Sequence, residues 1–438
     1  MDKKFYDNKD RNSKTVELQQ YSPLGNVGSV YEAMQLDKIG GKQSTAPLYV
    51  RQEARDLWDM LEENDTKRLY VLGSPGTGKS SLLWAWACRQ ANRNKNVLWM
   101  GRSAYSNGFV NYLHPGRGPS LTSVKPKRDI SKEIEDLVHN FKGDIIVFDG
   151  LTSEIQKQAF SCMMDWSSDT RKVVWAGSHG APIVASKSPY SIKDYMMYSW
   201  KTDDYESAIC QSKFRDLINK AGVIQIPPQK ADYMHWLEEK IALGGWCARY
   251  VFGMTRNEVQ KELDIALKQE HNLVTLIKGL QGGQCSLAIN RLRSLFKSNS
   301  GCGGDREVIV SRYVAHNLVL KTSKEIIAAM TAYSRAANNP AFDGWIFEFD
   351  FLNSVKNAVT TEKAFVLNNH VSFQYTNAAQ KTHEQGKTSW DITSTKTFAN
   401  VKDICAWDPT SFKDKSLFLI PEKWNQSGFD GVFVSRPK

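Results

Sequence analysis

Several protein classes leave marks that this sequence does not carry. No stretch approaches the roughly 18 uninterrupted apolar residues of a membrane helix, so no transmembrane segment is expected. The opening residues, MDKKFYDNKDRNSKTVELQQ, have no apolar core and are not a secretory signal. The seven cysteines are scattered, and no two stand at C-x-x-C spacing. That odd number points to neither a disulfide framework nor a zinc site. A reducing, intracellular compartment fits such usage. Internal repeats and long low-complexity tracts are absent as well.

What is present describes a globular chain. Its 438 residues suffice for two or three domains, each with its own core. A hydrophobic fraction of 41% and a charged fraction of 24% are ordinary for such a chain. The formal charge of +10 favours an anionic partner, DNA or another nucleic acid first, although the basic residues are thinly spread. One short basic cluster, Lys125-Pro126-Lys127-Arg128, reads either as a nuclear-import patch or as a solvated loop.

Residues 1–45 are polar and are expected to be a disordered N-terminal segment. Val50, Ala54, Leu57, Trp58 and Leu61 then fall on one helical face. Four apolar runs, RLYVLG, NVLWM, DIIVFDG and KVVWAGS, alternate with helical periodicity, which predicts an α/β fold with a parallel sheet. This core spans 46–189, and the helical periodicity of 190–297 predicts a lid domain beside it. SNSGCGGD at 298–305 reads as a linker or long turn leading into a C-terminal α/β unit that ends at 438.

The strongest motif is Gly73-Ser74-Pro75-Gly76-Thr77-Gly78-Lys79-Ser80, which satisfies G-x-x-x-x-G-K-[ST] between a strand and a helix. Its glycines let backbone N–H groups turn inward onto a phosphate, and the helix that follows adds its positive end. Lys79 is assigned to the β- and γ-phosphates of ATP and Ser80 to Mg²⁺, with Ser81 completing the binding set. Asp149, at the end of the apolar run Ile145 to Phe148, is the second metal acid and catalytic partner. Hydrolysing members of this superfold commonly place another acid next, but here Gly150 follows, which leaves Glu154 as the nearest group to activate water. Ser178 is either a γ-phosphate sensor or a strand cap. Arg249, in the run Gly244-Gly245-Trp246-Cys247-Ala248-Arg249, is either a lid residue neutralising the γ-phosphate or a surface ion-pair residue.

Taken with the P-loop and DIIVFDG, the segments Ser199-Trp200-Lys201-Thr202-Asp203-Asp204-Tyr205 and GGWCAR resemble the NTPase module of Crinkler and retrotransposon-hot-spot proteins. The resemblance implies ATP binding and hydrolysis, a nuclear site of action in the protein's own cell or a host cell, and a DNA-directed, restriction-endonuclease-like domain. Glu348, in Gly344-Trp345-Ile346-Phe347-Glu348, then matches that domain's metal-facing helix residue, and Asp430, in GFDGVFV, its first hairpin carboxylate. The hairpin is expected to be truncated or degenerate, because only Ser435-Arg436-Pro437-Lys438 follows and no acid-x-Lys strand is present. No ubiquitin-like header of the Crinkler type precedes residue 46, which favours the retrotransposon-hot-spot arrangement. The leading expectation is therefore an ATPase bearing an inactive nuclease-like unit. The alternatives are a nucleotide-regulated DNA endonuclease and a non-hydrolysing signalling module, and a homo-oligomer is compatible with each.

Overall fold

The computed structural model describes residues 14–17, 23–31, 47–101, 109–115, 120–124, 130–151, 161–167, 170–178, 192–269, 287–297 and 306–321. Beyond these it describes short strands at 365–366, 389–390, 394–398, 416–421 and 432–435. The chain divides into two compact units, Met1–Val314 and Ala315–Lys438.

Along the first unit the elements begin with strands β1 (Lys14–Glu17), β2 (Val30–Tyr31) and β3 (Leu48–Tyr49). Helix α1 (Gln52–Glu62), β4 (Arg68–Leu72), α2 (Lys79–Asn92) and β5 (Val97–Gly101) follow. Next come β6 (Phe109–His114), β7 (Ser120–Val124), α3 (Ile130–Asn140), β8 (Ile145–Leu151), β9 (Lys172–Gly177) and β10 (Lys193–Met196). The main sheet runs β1-β7-β6-β5-β8-β9-β4-β10. From β5 to β10 every neighbouring pair is parallel. The other half, β1, β7 and β6, is antiparallel.

Each of the four apolar runs forms a central strand, as strands covered on both faces require. Their side chains alternate between two cores. Leu69, Val71, Val97, Trp99, Ile145, Val147, Val174 and Ala176 pack with residues of α1 and α2. Their neighbours Tyr70, Leu72, Leu98, Met100, Ile146, Phe148, Val173 and Trp175 pack with Ile134 and Val138 of α3 on the opposite face. The period of two thus sorts one apolar stretch into two layers. Ala54, Leu57, Trp58 and Leu61 of α1 are all buried, as their helical spacing predicted. Residues Leu82 to Cys88 of α2 are buried on every side, as a helix enclosed by its surroundings allows.

After β10 the chain is helical, with α4 (Thr202–Cys210), α5 (Ser212–Ala221), α6 (Lys230–Gly244), α7 (Ala248–Phe252), α8 (Arg256–Gln269) and α9 (Leu287–Leu292). Trp200, Tyr205, Phe214, Leu237, Val251 and Phe252 build a third core there. Strands β11 (Arg293–Phe296) and β12 (Arg306–Ile309) then pair antiparallel on either side of residues 298–305.

Three features of the first unit depart from the expectations drawn from sequence. Residues 193–196, expected within the helical lid, form the parallel edge strand β10 beside β4. Part of the polar N-terminal segment is ordered by pairing, with β1 on β7, β2 on β3, and Leu24 and Tyr31 buried. In both cases long-range partners override local composition. The pairing of β11 with β12 also keeps residues after 298–305 with the first unit, which extends to Val314.

In the second unit, β13 (Phe365–Val366) pairs with β14 (Ser389–Trp390), and β15 (Ser394–Phe398), β16 (Ser416–Pro421) and β17 (Val432–Ser435) form a small sheet. The Val-Phe-Val strand, expected to open a hairpin, is instead the later antiparallel partner of β16.

Trp84 and Trp99, both fully enclosed, meet edge to face at 5.2 Å between α2 and β5. Trp99→Ala should lower unfolding free energy in urea by about 3–5 kcal/mol through the cavity it leaves, with the midpoint shifting and the slope unchanged.

Candidate functional site

The carboxyl ends of four parallel strands converge on one edge of the sheet, which is where ligands bind in open α/β folds. Gly73 follows β4, Asp149 lies in β8, Ser178 follows β9 and Met197 follows β10. The loop strand β4 and the acid strand β8 are not neighbours, because β9 lies between them. Ala176 of β9 pairs with Val71 on one side and Asp149 on the other. Asp149 shares the face of Ile145 and Val147, which is the α2 face.

The backbone from 73 to 80 is shaped by close neighbours. Gly73 has φ 152°, and a Cβ there would collide with the Met197 carbonyl of the segment following β10. Gly76 has φ 76°, and a Cβ would strike Cys247 Sγ and stand 3.2 Å from the Arg249 nitrogen. Left-handed φ and missing space together explain why these positions are glycine. At the start of α2, Gly78 supplies no capping side chain, so the N-terminal N–H groups remain available to an anion.

Lys79 Nζ donates to the carbonyls of Gly73 at 2.8 Å and Ser74 at 2.9 Å. Burial lowers its pKa to about 8, a shift opposed by nearby Asp149 and reinforced by Arg249. Ser80 Oγ donates to Asp149 Oδ1 at 3.0 Å. Burial raises the pKa of Asp149, while the Ser80 hydrogen bond and the Lys79 and Arg249 charges act in the other direction. Thr77 Oγ1 donates to the Ser74 carbonyl at 3.2 Å, closing the loop on itself. Ser74 Oγ is buried without a hydrogen-bond partner.

Gly150, after Asp149, has φ 82° and lies where the β8–β9 register shifts. The position is a bulge that favours glycine, so its geometry disfavours a second acid there. Ser178 Oγ accepts a hydrogen bond from Asn290 Nδ2 at 3.1 Å, which connects the end of β9 to α9. Arg249 is exposed at the start of α7 and lies close enough to influence both Lys79 and Asp149. The structure thus brings Lys79, Ser80, Asp149 and Arg249 together, and sets Ser178 at the same edge. Glu154, Glu348 and Asp430 lie outside the described residues.

Sequence reasoning passed over Arg51, Cys247 and Asn290. The spacing of Asn290 and Cys247 from the loop hides them, and Arg51 reads as the residue ahead of an amphipathic helix. The signal for Cys247 lay in its place two residues before Arg249. Burial raises the pKa of the Cys247 thiol.

Among the described residues no group of three or more His, Cys, Asp or Glu side chains is placed to hold a metal unaided. A hydroxyl and a single carboxylate do fit Mg²⁺, which takes few protein ligands and keeps waters and phosphate oxygens for the rest. No helix among the described residues is long and apolar enough to cross a membrane.

The arrangement is that of a P-loop α/β fold. No protein-family model matches the sequence, and a search of curated proteins finds no match. Solved structures similar to this chain include AMPPCP-bound DnaA from Aquifex aeolicus, at 12% identity and TM-score 0.31, over 72% of this chain and 96% of that one. Drosophila ORC bound to DNA is similar at 12% identity and TM-score 0.28, over 80% and 84%. Bacteroides Pif1 in complex with ADP-AlF4 is similar at 11% identity and TM-score 0.21, over 40% and 50%.

Lys79 carries a testable energetic signature. Its pKa falls from the ordinary 10.5 to about 8 in the fold, so the unfolded chain binds more protons between those values and stability rises with pH there. Below pH 8 the charged, part-buried amine carries a desolvation cost that disappears as pH rises towards 10.5. Lys79→Met should therefore raise the melting temperature of the nucleotide-free protein at pH 7. Calorimetry across pH should show the gain shrinking from pH 8 towards 10.5, and a gain independent of pH would contradict the assignment.

Proposed function

We propose that this protein binds ATP with Mg²⁺ at residues 73–80 and hydrolyses it, with the helical region after β10 serving as the lid. The observation that carries this reading is the 3.0 Å pairing of Ser80 with Asp149 beside the part-buried Lys79. In the bound state Lys79 leaves the Gly73 and Ser74 carbonyls for the β- and γ-phosphates, and Ser80 and Asp149 hold Mg²⁺. A Mg²⁺ held by Ser80 and Asp149 would supply positive charge against the transferred phosphoryl group. Further positive charge comes from Arg249, whose closeness to Lys79 and Asp149 supports a γ-phosphate role. Ser178, held by Asn290, orients the γ-phosphate, and Glu154 is the proposed group for the attacking water. The bulge at Gly150 favours slow turnover, so a nucleotide-set switch is the second reading.

We assign the chain to the Crinkler and retrotransposon-hot-spot type of NTPase. Support comes from the two sequence segments that carry the resemblance, since Ser199 and Asp204 reach Thr77 of the loop through Arg51 and Cys247 abuts Gly76. Its C-terminal unit is read as nuclease-like and without cleavage activity, with Glu348 and Asp430 as remnants of a metal site. DNA engagement through backbone charge and action in the nucleus complete the proposal, and the charge of +10 supports the first of these.

Phosphate release tests the central claim. Lys79→Ala should reduce it by about 100-fold, the usual effect of removing one transition-state donor, and equal rates for variant and wild type would end the ATPase reading. For DNA, fluorescence anisotropy with a labelled duplex should show affinity falling linearly with salt on logarithmic axes. Binding that ignores salt would remove the electrostatic mode.

A further inference from the structure

Residues 48–51 form a seam between two cores. Leu48 and Val50 belong to the core beneath α1 and α2, whereas Tyr49 belongs to the helical region and packs against Trp200 and Phe214. Arg51 is 2% exposed, and its guanidinium carbon lies 4.9 Å from the centre of the Trp200 ring. Nη2 donates to the Thr77 carbonyl at 3.2 Å and the Tyr198 carbonyl at 3.0 Å. Nη1 donates to the Ser199 carbonyl at 3.4 Å and Asp204 Oδ2 at 3.3 Å, with Glu53 Oε2 at 3.6 Å. The same Asp204 oxygen accepts the Lys201 N–H at 2.9 Å, capping α4.

One guanidinium therefore grips the loop two residues before Lys79 and, at once, the backbone that leads into α4. We propose that Arg51 is a positioning residue that couples nucleotide at the loop to the placement of α4, the first lid helix. The proposal rests on the nucleotide-binding reading above. Its chemistry explains why arginine stands here. A planar fork satisfies acceptors on two separate segments, and its flat face rests on an indole. A lysine ammonium is a point donor and cannot span them in the same geometry. Displacing Thr77 as phosphate enters moves a group hydrogen-bonded to Arg51, and Tyr198, Ser199 and Asp204 are held by that same group.

Linkage supplies the test, because coupling between two sites is reciprocal. Affinity for a fluorescent ATP analogue with Mg²⁺ and hydrogen exchange of the α4 amides are measured on the full chain. The proteins are wild type, Arg51→Lys, Asp204→Asn, the double variant and Lys79→Ala. Nucleotide should slow α4 exchange in wild type. Arg51→Lys and Asp204→Asn should each weaken binding about tenfold, within the usual coupling range, and abolish that protection. The double variant should be no weaker than the worse single one, since both remove one connection. Wild-type affinity and protection in Arg51→Lys, or losses that add in the double variant, would overturn the proposal. If Arg51→Lys fails to fold, Asp204→Asn decides alone, because asparagine keeps an oxygen for the Lys201 N–H while removing the negative charge that pairs with Arg51. Asp204→Asn with wild-type affinity and protection then overturns the coupling. Wild-type nucleotide binding that does not depend on Lys79 marks failure of the underlying functional reading instead, and the coupling falls with it.

Discussion

The insertion of β9 between β4 and β8 is the constraint on which the site depends. Two strand spacings, about 9–10 Å, separate the loop strand from the acid strand, and Ser80 must bridge them to reach Asp149. The side chain at the matching level of β9 is Ala176, which pairs with Val71 and with Asp149. All three lie on the same face of the sheet, and the side chain at the middle position is only a methyl group. A loop that turns upward at Gly73 and a helix that starts at Lys79 then deliver Ser80 sideways to the carboxylate. The glycines, the short residue at 176 and the placement of Asp149 are thus parts of one geometric solution.

The same edge receives three attachments from outside the sheet. Arg51 bonds the loop to the segment before α4, Gly76 admits Cys247 and Arg249, and Ser178 takes a hydrogen bond from Asn290 of α9. Their apolar support is separate, since the helical region has its own core around Trp200, Tyr205 and Phe252. A region with its own core, attached to the loop mainly by polar contacts, can shift without dissolving either core. Side-chain-to-backbone bonds hold the helical region and β11 together, with Tyr205 donating to the Gly245 carbonyl at 3.0 Å and Leu295 N to Ser199 Oγ at 3.1 Å.

Much of this was legible in the residues themselves. The loop motif is local, and a strand buried on both faces must be apolar throughout, so Arg68–Leu72, Val97–Gly101, Ile145–Leu151 and Lys172–Gly177 declared themselves. Asp149 stood out because a charge ends such a run. The antiparallel half did not, because β7 reads Ser-Leu-Thr-Ser-Val, and one of its two partners, β1, is distant in sequence. Lys-Asp-Tyr-Met at β10 is equally mute, since only β4 beside it makes it a strand. Arg51 was invisible for a related reason. A buried guanidinium has no periodic signature, and its acceptors are mostly backbone carbonyls, which are the same at every residue.

Lys79 links this geometry to energetics. Its ammonium is held by carbonyls of its own loop in surroundings that lower its pKa to about 8, so the site carries a charge it only partly compensates. Asp149 is displaced in the opposite sense, towards its protonated form, by the same burial. Two groups whose ionised forms are both disfavoured are matched to an arriving ion pair of opposite order, a polyphosphate for the lysine and a divalent cation for the carboxylate. Under the proposed function neither half of that pair would relieve both groups alone, which would make the magnesium complex of a nucleotide a better partner than phosphate or metal separately. The stability lost at Lys79 in the free protein would then be recovered on binding, and any ligand that binds only the folded state adds further stability by mass action.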